Sequence, residues 1–211
     1  MFQIRIHGRG GQGVVTAAEL LSVAAFDEGR HAQAFPSFGS ERTGAPVVAF
    51  CRIADEPIRV REPIVAPDAL VVQDSTLLHQ VDVFAGMKPT GYVLVNSAAT
   101  PAELGLEDMQ SRLGAGRLLT IPATEIAREH IGRPVPNLVM LGGLAAFTGI
   151  VHLPALLQAM QEHFPGDLGA KNVAAATAAY ELVVSLGPSH SQETSVRTQI
   201  EGSLAVAQAV A

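Results

Sequence analysis

The feature that most constrains the fold is a glycine-rich stretch between a strand pattern and a helix pattern. Apolar and polar residues alternate over residues 2–7, FQIRIH, as in a half-buried strand. Residues 8–13 follow with the sequence GRGGQG, and residues 14–28 carry small and apolar residues at helical spacing up to Gly29. Such a turn brings free backbone N–H groups and the positive end of a helix dipole to one point. The pattern predicts a Rossmann-like strand, glycine loop and helix, with a site for a phosphate or pyrophosphate.

Strand and helix patterns alternate over the first two-thirds of the chain. We therefore expect an α/β fold, a three-layer αβα arrangement with a largely parallel sheet and a helical C-terminal third. Further strands are predicted at 31–35, 45–53, 69–72, 92–95 and 118–121, and helices at 74–84 (capped by Asp74), 124–131, 137–149 (capped by Asn137), 153–164 and 170–186.

The chain is expected to divide near residue 187. Residues 1–187 read as one domain. Residues 188–211 begin with the polar run PSHSQETS and continue in a weakly amphipathic pattern from Val196 to Val210. This end predicts either a linker with a C-terminal docking helix or an unstructured terminus.

Composition excludes several classes of function. A net charge of −6 argues against broad nucleic-acid or anionic-membrane binding. The N-terminus lacks a signal-peptide core and no apolar run reaches the roughly 18 residues of a membrane span, which predicts a cytoplasmic protein. One cysteine supplies neither a disulfide nor an iron–sulfur cluster, so any redox chemistry must come from elsewhere. The charged fraction of 16% is low, which indicates either surface covered by other subunits or dilution by Ala and Gly.

The glycine motif alone does not identify a nucleotide. A complete NAD site needs an acid at the end of the second strand to hold the ribose. That strand runs here into Phe35 and Pro36, and the nearest acids, Asp27 and Glu28, fall at the end of the helix. We therefore expect a bound phosphate without a complete NAD site. The alternative is a glycine turn that only permits close packing of strand and helix.

Three other features carry weaker signals. The loop at 36–44, PSFGSERTG, contains Arg42, which suits a phosphate or carboxylate, or else forms a surface ion pair with Glu41. Cys51 lies in an apolar strand, which predicts a buried thiol. His7 either reaches a ligand at the glycine loop or packs at the end of its strand, and no histidine has metal-ligand spacing.

Together these segments resemble the gamma subunit, or gamma domain, of the 2-oxoacid:ferredoxin oxidoreductases, the family of the pyruvate, 2-oxoglutarate, indolepyruvate and phenylglyoxylate enzymes. The likeness joins a GxGGQG loop, a QAFPSFG strand exit and an ERxGAPV segment at close spacing. Thr43 departs from it, because many relatives have a second arginine there. Fainter likeness extends the match to about residues 4–186, at 71–74 (VVQD), 95–97 (VNS), 136–142 (PNLVMLG), 171–172 (KN) and 178–180 (AAY).

The resemblance implies a subunit of a complex that oxidatively decarboxylates a 2-oxoacid to an acyl-CoA. Thiamine diphosphate and [4Fe-4S] clusters would lie in alpha, beta and delta-type partner subunits, with ferredoxin or another electron acceptor. This chain, inactive alone, would help to bind coenzyme A and assemble the complex. It implies no catalytic or metal-binding residue here, and the candidate cofactor-binding residues are Gly8, Arg9, Gly10, Gly11, Gln12, Gly13, Ser40, Glu41 and Arg42.

Two alternatives stay open at this point. One is a stand-alone oxidoreductase that binds NAD or flavin on the glycine loop. The other is a structural subunit whose glycine loop packs without a ligand.

Overall fold

The computed structural model describes residues 1–37 and 43–186. Within these ranges six strands form one sheet in the order β2-β3-β1-β4-β5-β6. The strands are β1 (Phe2–Arg9), β2 (His31–Pro36), β3 (Pro46–Ala54), β4 (Ala69–Val72), β5 (Tyr92–Asn96) and β6 (Leu118–Ile121).

The helices of the described ranges cover both faces of this sheet. One face carries most of them, and the other carries α2, a short 3₁₀ helix at Ser75–His79 and long loops. The helices are α1 (Val14–Asp27), α2 (Glu107–Leu113), α3 (Ala123–Ile131), α4 (Asn137–Thr148), α5 (Leu153–His163) and α6 (Asp167–Ser185). The predicted three-layer α/β class is confirmed.

Alternation along the strands builds a separate core on each face. Ile4 and Ile6 of β1 pack with α1 and α4 in the larger core, while Leu70 and Val72 of β4 point to the smaller one. Because strand residues alternate between faces, a strand covered on both sides is apolar throughout, as β4 is.

Strand β3 is the exception in a sheet that otherwise runs in one direction. It pairs antiparallel with β1 and with β2, whereas β1, β4, β5 and β6 pair in parallel. The connection from β2 to β3, Ser37 to Ala45, is shorter than the dozen residues that a parallel crossover needs. A connection of this length allows β2 and β3 to pair antiparallel, as in a hairpin.

Several predicted boundaries need correction. Strand β1 extends through Gly8 and Arg9, which pair with Val47 and Pro46, so the glycine loop proper is Gly10–Gly13. Asp74 does cap a helix, accepting from the Thr76 amide, but that helix is a 3₁₀ turn ending at His79 rather than near Phe84.

Two helices also differ from expectation. Helix α2 was not predicted, because a seven-residue helix with only Met109 and Leu113 buried has too little apolar periodicity to stand out. Asn137 is the first residue of α4 and not its cap. Its side chain makes no capping bond and instead donates to the Gly13 carbonyl.

Candidate functional site

The glycine loop is joined to the loop that follows β2. Gly10 donates its amide to the Ala45 carbonyl at 2.9 Å and accepts from the Gly44 amide at 3.0 Å. Gly10 and Thr43 also form an isolated parallel bridge. The described end of the second motif, residues 43–45, therefore lies beside the glycine loop.

The loop leaves a group of backbone amides without acceptors. Gly11 and Gly13 adopt positive φ values of 90° and 68°, and within the described residues their N–H groups make no hydrogen bond. Helix α1 begins at Val14 with no side-chain cap, so the first N–H groups of that helix also lack a partner inside it. Amides and helix dipole together favour a bound anion at this point.

Gly13 also allows two helices to meet. The Asn137 side-chain nitrogen donates to the Gly13 carbonyl at 3.2 Å, and a Cβ at Gly13 would lie only 2.3 Å from that nitrogen. The N-termini of α1 and α4 are thereby fixed against each other, with both positive ends at the same edge of the sheet.

The Arg9 side chain connects the glycine loop to the turn after β4 through hydrogen bonds. Its guanidinium donates to Asp74 Oδ2 at 3.0 Å, to the Gly44 carbonyl at 3.0 Å, and to side-chain oxygens of Thr76 and Gln80 at 2.7 and 2.8 Å. With these donors engaged, Arg9 has little capacity left for a ligand. The geometry favours a positioning role over the direct anion contact that the sequence suggested.

Asp74 is the acidic partner of Arg9 in this ion pair. Burial alone would raise the pKa of Asp74, but hydrogen bonds from Thr76 and Gln12 and the charge of Arg9 hold that pKa below its usual value. Gln12 bridges the two partners, because its Nε2 donates to Asp74 Oδ2 at 3.1 Å and its Oε1 accepts from the Arg9 amide at 2.8 Å. The ion pair and the amide bridge hold the loop in shape.

Next to the glycine loop lies a cleft of about 430 Å³, here called the polar cleft. It opens where the parallel strands β4, β5 and β6 end, which is where ligands bind in open α/β sheets. Its lining is mostly hydroxyl, amide and charged groups. The lining residues are Gln12, Gln73, Asp74, Ser75, Asn96, Ser97, Ala98, Thr124, Glu125, Arg128, Pro134 and Pro136.

Asn96 organises the floor of the polar cleft. Its Nδ2 donates to the Gln73 carbonyl and to the Thr124 hydroxyl, both at 2.8 Å, and its Oδ1 accepts from the Thr124 amide at 3.1 Å. The ends of β4 and β5 and the start of α3 are locked together by this one side chain. The floor of the cleft is therefore held in shape by hydrogen bonds within the chain.

The sequence-predicted residues divide into two groups. Gly8 to Gly13 come together as described, whereas Ser40, Glu41 and Arg42 lie outside the described residues. Of their described neighbours, Thr43 forms the bridge with Gly10, and Ser37 donates its amide to the Val48 carbonyl of β3. The polar cleft was missed, although Gln73, Asn96 and Asn137 all stand in the fainter segments of the resemblance. Their positions in the predicted elements could have indicated the cleft. Gln73 and Asn96 lie where two predicted parallel strands end, and Asn137 lies where a helix begins at the same edge of the sheet.

Two single residues can also be placed. Cys51 is fully buried and burial raises its pKa to about 12, which confirms the predicted buried thiol. His7 is buried at 6% exposure, so it packs at the strand end. Across residues 1–37 and 43–186, no group of three or more His, Cys, Asp or Glu is arranged to hold a metal. No helix in the same ranges has the length and apolar character to cross a bilayer.

Residues 3–182 match the family model described as pyruvate ferredoxin/flavodoxin oxidoreductase. The chain belongs to this family. The match spans nearly all of the described fold, including the glycine loop and the polar cleft.

Relatives and solved structures agree with this assignment. The chain is 51% identical over 181 residues to the pyruvate synthase subunit PorC of Methanothermobacter marburgensis, covering 86% of this chain and 97% of that protein. It is 49% identical over 184 residues to the pyruvate/ketoisovalerate oxidoreductases common subunit gamma of Thermococcus kodakarensis, covering 87% and 98%. These similarities identify the chain as a gamma subunit of a pyruvate or related 2-oxoacid oxidoreductase complex.

Among solved structures, the pyruvate oxidoreductase subunit of Thermotoga maritima superposes with a TM-score of 0.71 at 37% identity, covering 85% of this chain and 95% of that one. A 2-oxoglutarate:ferredoxin oxidoreductase from Magnetococcus marinus, solved with 2-oxoglutarate, coenzyme A and succinyl-CoA bound, gives a TM-score of 0.69 at 19% identity. This chain covers 31% of that longer chain and 88% of its own length. The second likeness shows the fold alone.

Proposed function

We propose that this gamma subunit holds the phosphates of coenzyme A on its glycine loop within a complex that oxidatively decarboxylates a 2-oxoacid to an acyl-CoA. The observation that carries the proposal is the set of amides at Gly11, Gly13 and the first turn of α1 that find no acceptor among the described residues. Backbone N–H groups at a helix N-terminus suit a pyrophosphate. The coenzyme A named for the 2-oxoglutarate enzyme of the same fold is in keeping with this ligand.

The remaining cofactors belong, on this proposal, to partner subunits of the alpha, beta and delta type. Thiamine diphosphate supplies the chemistry on the 2-oxoacid when bound there, and [4Fe-4S] clusters pass electrons to ferredoxin or another acceptor. This chain holds one cysteine, which is buried in β3, whereas an iron–sulfur cluster needs about four ligands. The cluster ligands must therefore come from neighbouring chains.

The choice of 2-oxoacid is proposed to lie outside this chain as well. The relative from Thermococcus kodakarensis is named as common to pyruvate and ketoisovalerate oxidoreductases. A gamma subunit shared between two such enzymes serves a step that both have in common. Binding of coenzyme A is such a step, because its structure does not change with the acyl group that it accepts.

The chain is also proposed to bind its partners directly. Residues 188–211 are assigned as a linker and docking segment, and Ser40, Glu41 and Arg42 as lining the cleft or the contact with the catalytic subunits. Val23 and Phe26 of α1, at 40% and 71% exposure, are apolar side chains that a neighbouring subunit would cover.

The test compares two substitutions at Gly11 in the purified complex. No atom of the described residues lies within 4 Å of a Cβ at Gly11, and its positive φ of 90° is of the kind that Asn and Asp tolerate best among residues with a side chain. Gly11→Asn and Gly11→Asp have nearly the same shape and backbone strain and differ in one negative charge. We expect Gly11→Asp to bind coenzyme A roughly tenfold or more weakly than Gly11→Asn, because its carboxylate repels the phosphates.

The measurement is isothermal titration calorimetry with coenzyme A, together with the KM for coenzyme A in a viologen-reduction assay. Equal affinities for the two variants, both close to that of the unsubstituted complex, would favour the ligand-free structural role. Tighter binding of NADH than of coenzyme A at the same loop would favour a nucleotide-dependent oxidoreductase.

A further inference from the structure

Gln73 carries an unpaired amide at the centre of the candidate site. It follows β4 directly, is only 1% exposed, and neither its Nε2 nor its Oε1 has a hydrogen-bond partner among the described residues. Its backbone, in contrast, is fully used. The amide donates to the His7 carbonyl at 2.8 Å, and the carbonyl accepts from Asn96 Nδ2 at 2.8 Å.

An unpaired buried amide costs folding free energy, so its presence needs an explanation. A methionine or leucine of similar size would fill the same space without that cost. The backbone bonds do not require glutamine, because any residue supplies them. The side-chain amide therefore points to a partner other than the described residues of this chain.

Gln73 stands between the glycine loop and the polar cleft. Its Oε1 and that of Gln12 lie 3.0 and 3.1 Å from the position that a Cβ would take on Gly8. The absence of a side chain at Gly8 is what leaves room for both amides. A ligand with phosphates on the loop would extend past Gln12 to reach Gln73, and then along the cleft.

The polar groups of this region indicate which chemical group would hydrogen-bond to Gln73. A glutamine side chain offers one N–H donor and one carbonyl acceptor side by side, which matches a secondary amide. The polar cleft beyond it has hydroxyls from Ser75 and Ser97, and none of the described residues in its lining is an aromatic on which a base would stack. A flexible chain that carries amides can hydrogen-bond to these side chains, and it suits this lining better than a purine, which binds by stacking on aromatic rings.

We propose that Gln73 pairs with an amide of the pantetheine arm of coenzyme A. Its Nε2 donates to the amide carbonyl of the arm, its Oε1 accepts from the amide N–H, and the arm runs along the polar cleft toward Asn96 and Thr124. This inference rests on the proposed function, since it takes the phosphates to lie on the glycine loop. It adds a residue that distinguishes coenzyme A from nucleotides with the same phosphates.

The experiment measures ligand affinity in the purified complex with Gln73→Met, which keeps the length and removes both polar atoms. The probes are coenzyme A, 4′-phosphopantetheine and ADP. We expect coenzyme A and 4′-phosphopantetheine to bind roughly tenfold or more weakly than to the unsubstituted complex, and ADP to bind within about twofold of its original affinity. The melting temperature of the ligand-free complex should stay the same or rise, because an unpaired amide has been removed.

Two further variants complete the design. Gln158→Met makes the same exchange on an exposed face of α5 and should leave all three affinities unchanged. Gln73→Asn keeps an amide but withdraws it by one methylene, and should show the same selective loss if Gln73→Met does not assemble.

The outcomes separate this inference from the proposed function. If Gln73→Met binds coenzyme A as the unsubstituted complex does, the pairing is wrong. If ADP and coenzyme A lose affinity equally, Gln73 supports the phosphate site or the base and does not pair with the arm. If the two Gly11 variants differ as expected while Gln73→Met has no effect, the phosphate site stands and only the pairing fails.

Discussion

His7 makes the stability of the chain depend on pH. Burial, with a smaller contribution from the charge of Arg5, lowers the pKa of His7 to about 4. The pKa of a histidine in an unfolded chain is near 6.5. Between about pH 4 and pH 6.5, His7 is therefore protonated in the unfolded state and neutral in the folded state. The stability from the neutral buried ring is fully present above pH 6.5 and is lost as the pH falls toward 4.

We therefore expect the free energy of unfolding of the full chain to fall by roughly 2 kcal/mol between pH 7.5 and pH 5 on account of His7. Urea unfolding at the two pH values measures this fall. His7→Gln, which cannot be protonated, should lose that part of the pH dependence. An equal fall in both proteins would mean that His7 finds room to be charged in the folded state.

At the same scale, the sequence predicted the glycine loop but not its supporting residues. A GxGGQG stretch before a helix predicts free amides, since the backbone alone makes them. Three of the four bonds of Arg9 join residues more than sixty positions apart in the chain, and the Gln73 amide reaches Gly8 and Gln12 from a similar distance. Such contacts become visible only when the strand order is known.

At the scale of elements, the contact between α4 and α6 depends on one glycine. A Cβ on Gly142 would lie 2.0 Å from the Ala176 carbonyl oxygen, which belongs to the backbone of α6. A Cβ on the next residue, Gly143, would meet the Cδ1 of Ile121 at 2.6 Å, the flexible end of a side chain. The first clash can be relieved only by moving a helix, and the second by rotating the end of the Ile121 side chain.

We expect Gly142→Ala to lower the free energy of unfolding by roughly 3 kcal/mol or more, and Gly143→Ala by about 1 kcal/mol or less. Both exchanges gain the same helix propensity, so their difference reports the clash with α6. Urea unfolding of the two variants provides the comparison. Equal losses would show that α6 moves away at little cost.

Most strands and helices could be predicted from periodicity and caps, and the failures have physical causes. The direction of β3 was not predicted because apolar alternation is the same in parallel and antiparallel strands. The short connection from Ser37 to Ala45 could have predicted that β3 runs antiparallel to β2. Asn137 was expected to cap α4, but its amide lies nearer to Gly13 of another helix, a tertiary contact that local sequence does not encode.

At the scale of the whole molecule, the described core ends before the last residues of the chain. Val183 of α6 is the last residue of the larger core, and residues 187–211 lie outside the described ranges. A chain that ends at Leu186 should melt within about 2 °C of the full chain, since no described core residue is lost.

The same truncation tests the proposed docking segment. The shortened chain should be retained less well in the complex during size-exclusion chromatography, while the full chain stays bound. Unchanged retention would leave residues 188–211 without a part in assembly. A large fall in melting temperature would show instead that these residues stabilise the domain itself.

The position of β3 sets an order for folding during synthesis. Strands β1 and β2 are not neighbours, because β3 lies between them and contacts both. While a ribosome is still making β3, the nascent β1–α1–β2 unit therefore lacks the strand that closes it. The Gly10 contacts with Gly44 and Ala45 likewise wait for that segment. The anion site proposed at this loop therefore cannot be complete until β3, which ends at Ala54, has left the exit tunnel. If the proposal holds, coenzyme A binds only after that point in translation.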